Sequence, residues 1–254
     1  METGADAPPR LDVPPPPADR RTLAEEVLVV LSLSVLSGAA FAILSLVEAP
    51  VTGVVVAATN QSEAFARQVL AFVFGLAPAF LVVHLVRRSG EGTAAIGLGT
   101  PRPAEDAVRG VALFLVVGLA GTGIYLAAVG LGVNRFVVPV PPLGHWWTVP
   151  ALTLNAIEAA VVEEVVVLGY LVTRLQQLSW SAAQAVGASA LLRGTYHLYQ
   201  GWGGFAGNLA MGVLFGALLL RWRRRTWPFI VAHALLDVGA GIGFILFRDR
   251  LPGF

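Results

Sequence analysis

Residues 155–175, NAIEAAVVEEVVVLGYLVTRL, decide how the rest of the chain is read. The run is apolar and long enough to cross a bilayer as a helix, yet the adjacent glutamates Glu163 and Glu164 stand near its middle. A charge at the bilayer centre costs about 2.5–3.5 kcal/mol on insertion scales, so such a group turns toward a wet cavity or a partner. The remaining sequence has to supply both a membrane fold and a reason to keep this pair.

Composition supplies the first. The chain is 56% hydrophobic and 13% charged, with a mean hydropathy of +0.73, whereas soluble domains are about 25% charged. Apolar stretches of helical length recur at about 23–47, 68–86, 106–132, 148–174, 182–199, 204–221 and 227–247. The expected fold class is all-α, a polytopic transmembrane helical bundle of about seven spans. The less regular stretch 49–66 suits a short interfacial helix. Every one of the 17 basic residues is arginine, and cysteine is absent, which excludes disulfides and thiolate metal sites. The arginines fall in loop-sized groups and form no continuous basic face, so no nucleic-acid partner is expected.

Residues 1–22, with PPPP at 14–17, read as a disordered proline-rich cytoplasmic leader. Residues 23–147 then hold the N-terminal transmembrane helices, 148–247 the region carrying the polar residues, and 248–254 a short tail. With the N-terminus cytoplasmic, twelve arginines (among them Arg20, Arg87, Arg174 and Arg224) lie on the inner side. Four, Arg67, Arg135, Arg248 and Arg250, lie on the outer. The six tryptophans cluster at span ends, as an interfacial belt requires.

Within the last four spans the ionisable residues are Glu158, Glu163, Glu164, Arg193, His197, His233 and Asp237. Arg193 and His197 are four apart, as are His233 and Asp237, so each pair shares a helical face. Glu163 and Glu164 are about 100° apart around a helix, so one faces a reaction and the other a cation or donor. A desolvated carboxylate is a fitting general base for water, and two imidazoles either donate to an oxyanion or bind a metal. His197, His233 and Glu163 would suffice for zinc, although no HExxH helix is present. Glu158, on another face, reads as a solvated or capping group, and His84 and His145 as interfacial residues. Gly212/Gly216 and Gly239/Gly243 have the spacing of close helix packing.

Three short motifs in order over about 150–245 resemble the CPBP intramembrane proteases, the group of type II CAAX prenyl endopeptidases and bacteriocin-protection proteins. The EExxxR motif and its following Gly-Tyr-Leu appear as EEVVVLGYL, FxxxH appears as RGTYH ending at His197, and His followed by Asn or Asp appears as HALLD. The resemblance implies peptide-bond hydrolysis inside the bilayer on a membrane-associated peptide or protein. It makes Glu163 the water-activating base, His197 and His233 oxyanion donors or metal ligands, and Glu164 and Asp237 further members of the site. The cofactor would be zinc or none. An arginine-only, Ala/Val/Gly-rich composition suggests a GC-rich bacterial genome, hence a multi-pass inner-membrane protein whose substrates need not be prenylated.

Two positions depart from the pattern: Leu168 stands where the motif has arginine, and Arg193 where it has phenylalanine. One consequence is a non-catalytic relative that binds or protects against membrane peptides. The other is a cation moved from span four to span five, which predicts an Arg193–Glu164 ion pair. A proton-coupled transporter would also use intramembrane Glu, His and Asp, but it commonly shows internal repeats, and none is evident. Access is expected from the inner side or laterally, because His233 lies near the inner end of its span. His197 can join the others only if span five stops short and YQGWGG turns inside the protein.

Overall fold

A computed structural model describes residues 18–48, 50–57 and 60–250. Most of the expected leader and the last residues of the expected tail lie outside them. Ten α-helices are described: α1 (Arg20–Ser32), α2 (Leu36–Glu48), α3 (Phe65–Gly75), α4 (Ala77–Arg88), α5 (Pro103–Gly130), α6 (Thr148–Val162), α7 (Leu171–Gln177), α8 (Ala182–Tyr196), α9 (Trp202–Arg221) and α10 (Trp227–Phe247). Two three-residue strands, β1 (Val54–Val56) and β2 (Phe136–Val138), pair in parallel. The stretch expected to hold an interfacial helix therefore contributes a strand instead. Its run of β-branched valines, three in succession, favours that outcome.

Local chemistry marks the helix ends. The Asp19 side chain accepts from the amides of Arg21 and Thr22 to start α1. Ser181 and Gln184 form a reciprocal capping box at α8. Prolines occupy the first turns of α4, α5 and α10, where no intrahelical donor is lost. Span one is broken: α1 and α2 meet at 55° across Leu33–Val35, where Ser34 Oγ donates to the Val30 carbonyl at 2.7 Å. Such back-bonding bends helices.

Among the described residues, four helical stretches are long and apolar enough to cross a membrane: Phe65–Arg88, Pro103–Gly130, Trp202–Arg221 and Trp227–Phe247. The bent α1–α2 pair makes a fifth if it counts as one span. α8, at 15 residues, is shorter than a full crossing requires.

α8 lies on α9 through small residues. A side chain at Gly212 would meet Ala190, and one at Gly216 would meet Val186. The second glycine pair divides. Gly239 faces Phe114, Gly243 has no such neighbour, and the tight contact on α10 is instead Gly241 against Leu152. One core joins α1, α4, α5, α6 and α8–α10, with Val30, Val82, Leu113, Val166, Phe215 and Phe229 among its members.

Three arginines expected in loops are buried. Arg174 donates to Glu91 at 2.5 Å and to Glu26 at 3.2 Å, Arg224 to Thr173 at 3.0 Å, and Arg135 to backbone carbonyls at the opposite end. Arg174 stands on α7, the segments holding Arg135 and Arg224 fold back onto the bundle, and the guanidinium groups saturate what would otherwise be unpaired acceptors. Trp147, expected in the aromatic belt, is 4% exposed, stacked on His145 and packed on Phe65. Trp146 beside it is 79% exposed and suits an interface.

The quoted stretch is not one uniform helix. From Glu163 to Tyr170 the backbone widens into a π-helix before resuming as α7. Gly169 belongs to this segment, and a Cβ there would stand 2.5 Å from the Ile96 carbonyl oxygen and 3.2 Å from Thr226 Oγ1. The Thr226 hydroxyl donates to that same carbonyl at 2.8 Å. Gly169→Ala is therefore expected to destabilise by about 1–3 kcal/mol, the range for overpacking a filled core. The check is the thermal midpoint of the detergent-solubilised protein.

Candidate active site

The π-helical segment opens with the two glutamates, and its altered pitch engages both with α8. Glu164 is fully buried. Its Oε1 accepts from Arg193 Nη2 at 2.5 Å and from His233 Nδ1 at 2.7 Å. The ion pair expected between α8 and the glutamate helix is thus present. Glu163 Oε2 accepts from the Tyr196 hydroxyl at 2.7 Å, and Arg193 Nη1 approaches the same oxygen at 3.9 Å. One guanidinium therefore approaches both carboxylates but pairs at short range with Glu164 alone, the glutamate that takes the cation. Arg193 also lies 5.8 Å above the Phe215 ring, a cation–π contact.

His197 caps the C-terminus of α8. Its Nδ1 is 2.9 Å from the Arg193 carbonyl, which can only accept, so Nδ1 carries a proton, and when the ring is neutral it is Nε2 that presents the lone pair. Tyr196 and Tyr199 flank the imidazole, with ring centroids at 4.7 and 6.2 Å. His197 reaches this depth because α8 ends at Tyr196, three residues short of the expected span. A 3-10 turn, Leu198–Gln200, follows, and the chain reverses at Gly201 with φ +114°. A side chain at Gly201 would also meet the Val133 carbonyl at 2.8 Å, so glycine is needed there for both reasons.

His233 is buried on α10, with Nδ1 on Glu164 and Nε2 3.5 Å from Asp237 Oδ2. Glu163, Glu164, Arg193, His197, His233 and Asp237 thus form one connected cluster across the π segment, α8 and α10. Glu158, expected to be a solvated or capping group, is instead half-buried against Gly75 of α3 and within electrostatic reach of Glu163. His84 is exposed, and His145 remains a loop residue stacked on Trp147. Tyr196 was not foreseen as a site residue. The one signal for it was its place beside His197, a turn away from Arg193 on the helix that must meet the glutamates.

Side-chain exposure rises along α10 from 6% at His233 to 43% at Asp237. Below His233, toward the start of α10, Arg174, Glu26, Glu91, Gln177 and Tyr170 form a buried polar plug. The site is thus more open toward the end of α10 than toward its start, opposite to the inner-side access expected from the position of His233. The reason is that plug, whose members are scattered over three distant stretches of sequence. The shallow apolar grooves along α5 and α9 (Val108, Ala112, Leu214, Leu218) do not include the cluster.

As arranged, the residues do not fit a zinc ion. Both nitrogens of His233 face carboxylates and Nδ1 of His197 a carbonyl, which leaves Nε2 of His197 as the one imidazole nitrogen in the cluster without such a partner. Among the described residues no three His, Asp or Glu side chains are grouped so that they could hold a metal.

Two carboxylates interlocked with an arginine, two imidazoles and a tyrosine, all held within a helical membrane bundle, form the candidate centre. Residues 145–239, which contain all of these groups, match the family described as Type II CAAX prenyl endopeptidase Rce1-like. The match supports a place for this region in the CPBP family, whose members are at family level intramembrane CAAX-type endopeptidases. No curated protein and no solved structure matches the chain.

Proposed function

We propose that the protein is an endopeptidase that cleaves membrane-associated peptides with water activated by Glu163. The observation carrying this reading is the interlock of Glu163 and Glu164 around Arg193. It keeps Glu164 as a fixed counter-ion and leaves Glu163, bound only by a tyrosine hydroxyl at short range, as the carboxylate able to take a proton. Water placed against Glu163 would lose a proton to it as its oxygen attacks the peptide carbonyl carbon. The same proton would then pass to the departing amine. The His197 Nε2 lone pair suits the second hydrogen of that water. His233, between Glu164 and Asp237, and the Arg193 guanidinium supply positive potential where the oxyanion develops.

In this reading the chain crosses a bacterial inner membrane seven times with a cytoplasmic N-terminus. The short α8 and the interrupted α6–α7 rod count as crossings because each lies inside the bundle against longer helices. Leu168, 2% exposed in the core, favours the non-catalytic alternative, since it lacks the motif's cation. Arg193 answers it by bringing a cation to Glu164 from α8.

Mapping new protein termini in membranes with and without the enzyme, against a His233→Ala control, tests the activity. Cleavage products that appear equally with the control would refute it. Because the donor set does not suit zinc, a chelator is expected to leave the rate unchanged. Stoichiometric zinc in the purified protein, with activity lost on its removal and restored on its return, would overturn the metal-free mechanism.

A further inference from the structure

Arg135 lies outside the region shared with the family, yet its side chain reaches the turn that carries His197. It is 6% exposed. Nε donates to the Pro50 carbonyl at 2.9 Å, Nη2 to the Ser45 carbonyl at 2.7 Å, and Nη1 to Ser45 Oγ at 3.3 Å and the Tyr199 carbonyl at 2.7 Å. Its own amide donates to the Gln200 carbonyl at 2.6 Å. The neighbouring Asn134, 2% exposed, forms a bridge with Gly201 and accepts the Gly204 amide at 2.6 Å. Two consecutive residues therefore hold the backbone on both sides of the chain reversal, at 199–201 and at 204.

We infer that Arg135 is the positioning residue for His197. Besides the Tyr196 ring at 4.7 Å, which belongs to α8 itself, the imidazole has two supports. One is the Arg193 carbonyl within its own helix. The other is the Tyr199 ring stacked against it, whose backbone Arg135 grips and ties to the end of α2. α8 supplies the first support without help. The second exists because a planar fork of donors reaches carbonyls from three separate backbone positions at once, which the point charge of a lysine does not reproduce. Without the guanidinium those carbonyls lose their donor in a buried setting, the turn relaxes, and the Tyr199 ring leaves the imidazole. The inference rests on the reading of His197 as a member of the reacting site, but its test does not need an identified substrate.

The experiment is nitrogen NMR of ring-labelled histidine in the full-length protein in detergent micelles, with the His197 signals assigned by their loss in His197→Asn. Wild type is expected to give one set of signals for the Nδ1-protonated ring. Arg135→Gln is expected to give several sets or displaced signals at His197 while His84 is unchanged, with Arg135→Lys failing to restore the single set. Should Arg135→Gln not fold, Tyr199→Leu removes the same support without touching the guanidinium and should shift the same signals. Arg174→Gln, at the opposite end, serves as the control for general destabilisation. Wild-type His197 signals in a folded Arg135→Gln, in Tyr199→Leu, or a change equal to that of Arg174→Gln, would overturn the assignment. Altered His197 signals in a protein that cleaves nothing would instead uphold the positioning role and refute the endopeptidase reading.

Discussion

Glu163→Gln is expected to abolish peptide cleavage while the protein folds with a nearly unchanged thermal midpoint. The amide oxygen can still accept the Tyr196 hydroxyl, as Glu163 Oε2 does at 2.7 Å, so the local packing survives. What disappears is a group that can take a proton from water, a contribution of about 10²–10⁴ in rate. The approach of Arg193 Nη1 at 3.9 Å is too long to anchor the fold. Two measurements suffice: the cleavage rate on a substrate found by terminus mapping, and the midpoint. Wild-type turnover in the variant would rule out Glu163 as the base. A collapse of the midpoint would make its role structural.

The second large effect concerns Arg193. Removing one member of a buried ion pair leaves the other charge without compensation and typically costs about 3–5 kcal/mol. Arg193→Leu would strand Glu164, fully buried, with His233 as its one remaining partner, and would also take the cation away from Glu163. Severe loss of folded protein is the expected outcome, read as yield and thermal midpoint in detergent. The exchange Leu168→Arg with Arg193→Phe restores the family's own arrangement and should recover stability relative to Arg193→Phe alone. An unchanged midpoint in Arg193→Leu, or no recovery in the exchange, would show that the pair does not carry this load.

Much of this was legible in the residues. The apolar runs fall on helices, four or five of them long and apolar enough to cross a membrane where seven spans were expected, and the rule that an intramembrane charge needs a partner led from Leu168 and Arg193 to the contact with Glu164. Other features had no local signal. The break at Leu33–Val35 contains neither proline nor glycine. Arg135, Arg174 and Arg224 look like ordinary interfacial arginines in sequence, because their acceptors are distant side chains and backbone carbonyls, and a carbonyl has no letter of its own. The pairing of β1 with β2 joins segments about eighty residues apart. The π segment was equally hidden. EEVVVLGY is acceptable to an α-helix, and only the close approach of Ile96 and Thr226 to Gly169 hints at what the backbone must accommodate.

That widened segment has a consequence for how the molecule can change over generations. A π turn holds one more residue than an α turn, so it acts as a phase adjuster between the two halves of a single rod. Before it, α6 packs Leu152 against Gly241 of α10. After it, α7 presents Arg174 to Glu26 and Glu91 on α1 and the α4–α5 loop. The two halves are each aligned to their own neighbours, and neither dictates the rotation of the other. A lineage could therefore rework the plug at one end of the rod without misaiming the glutamates.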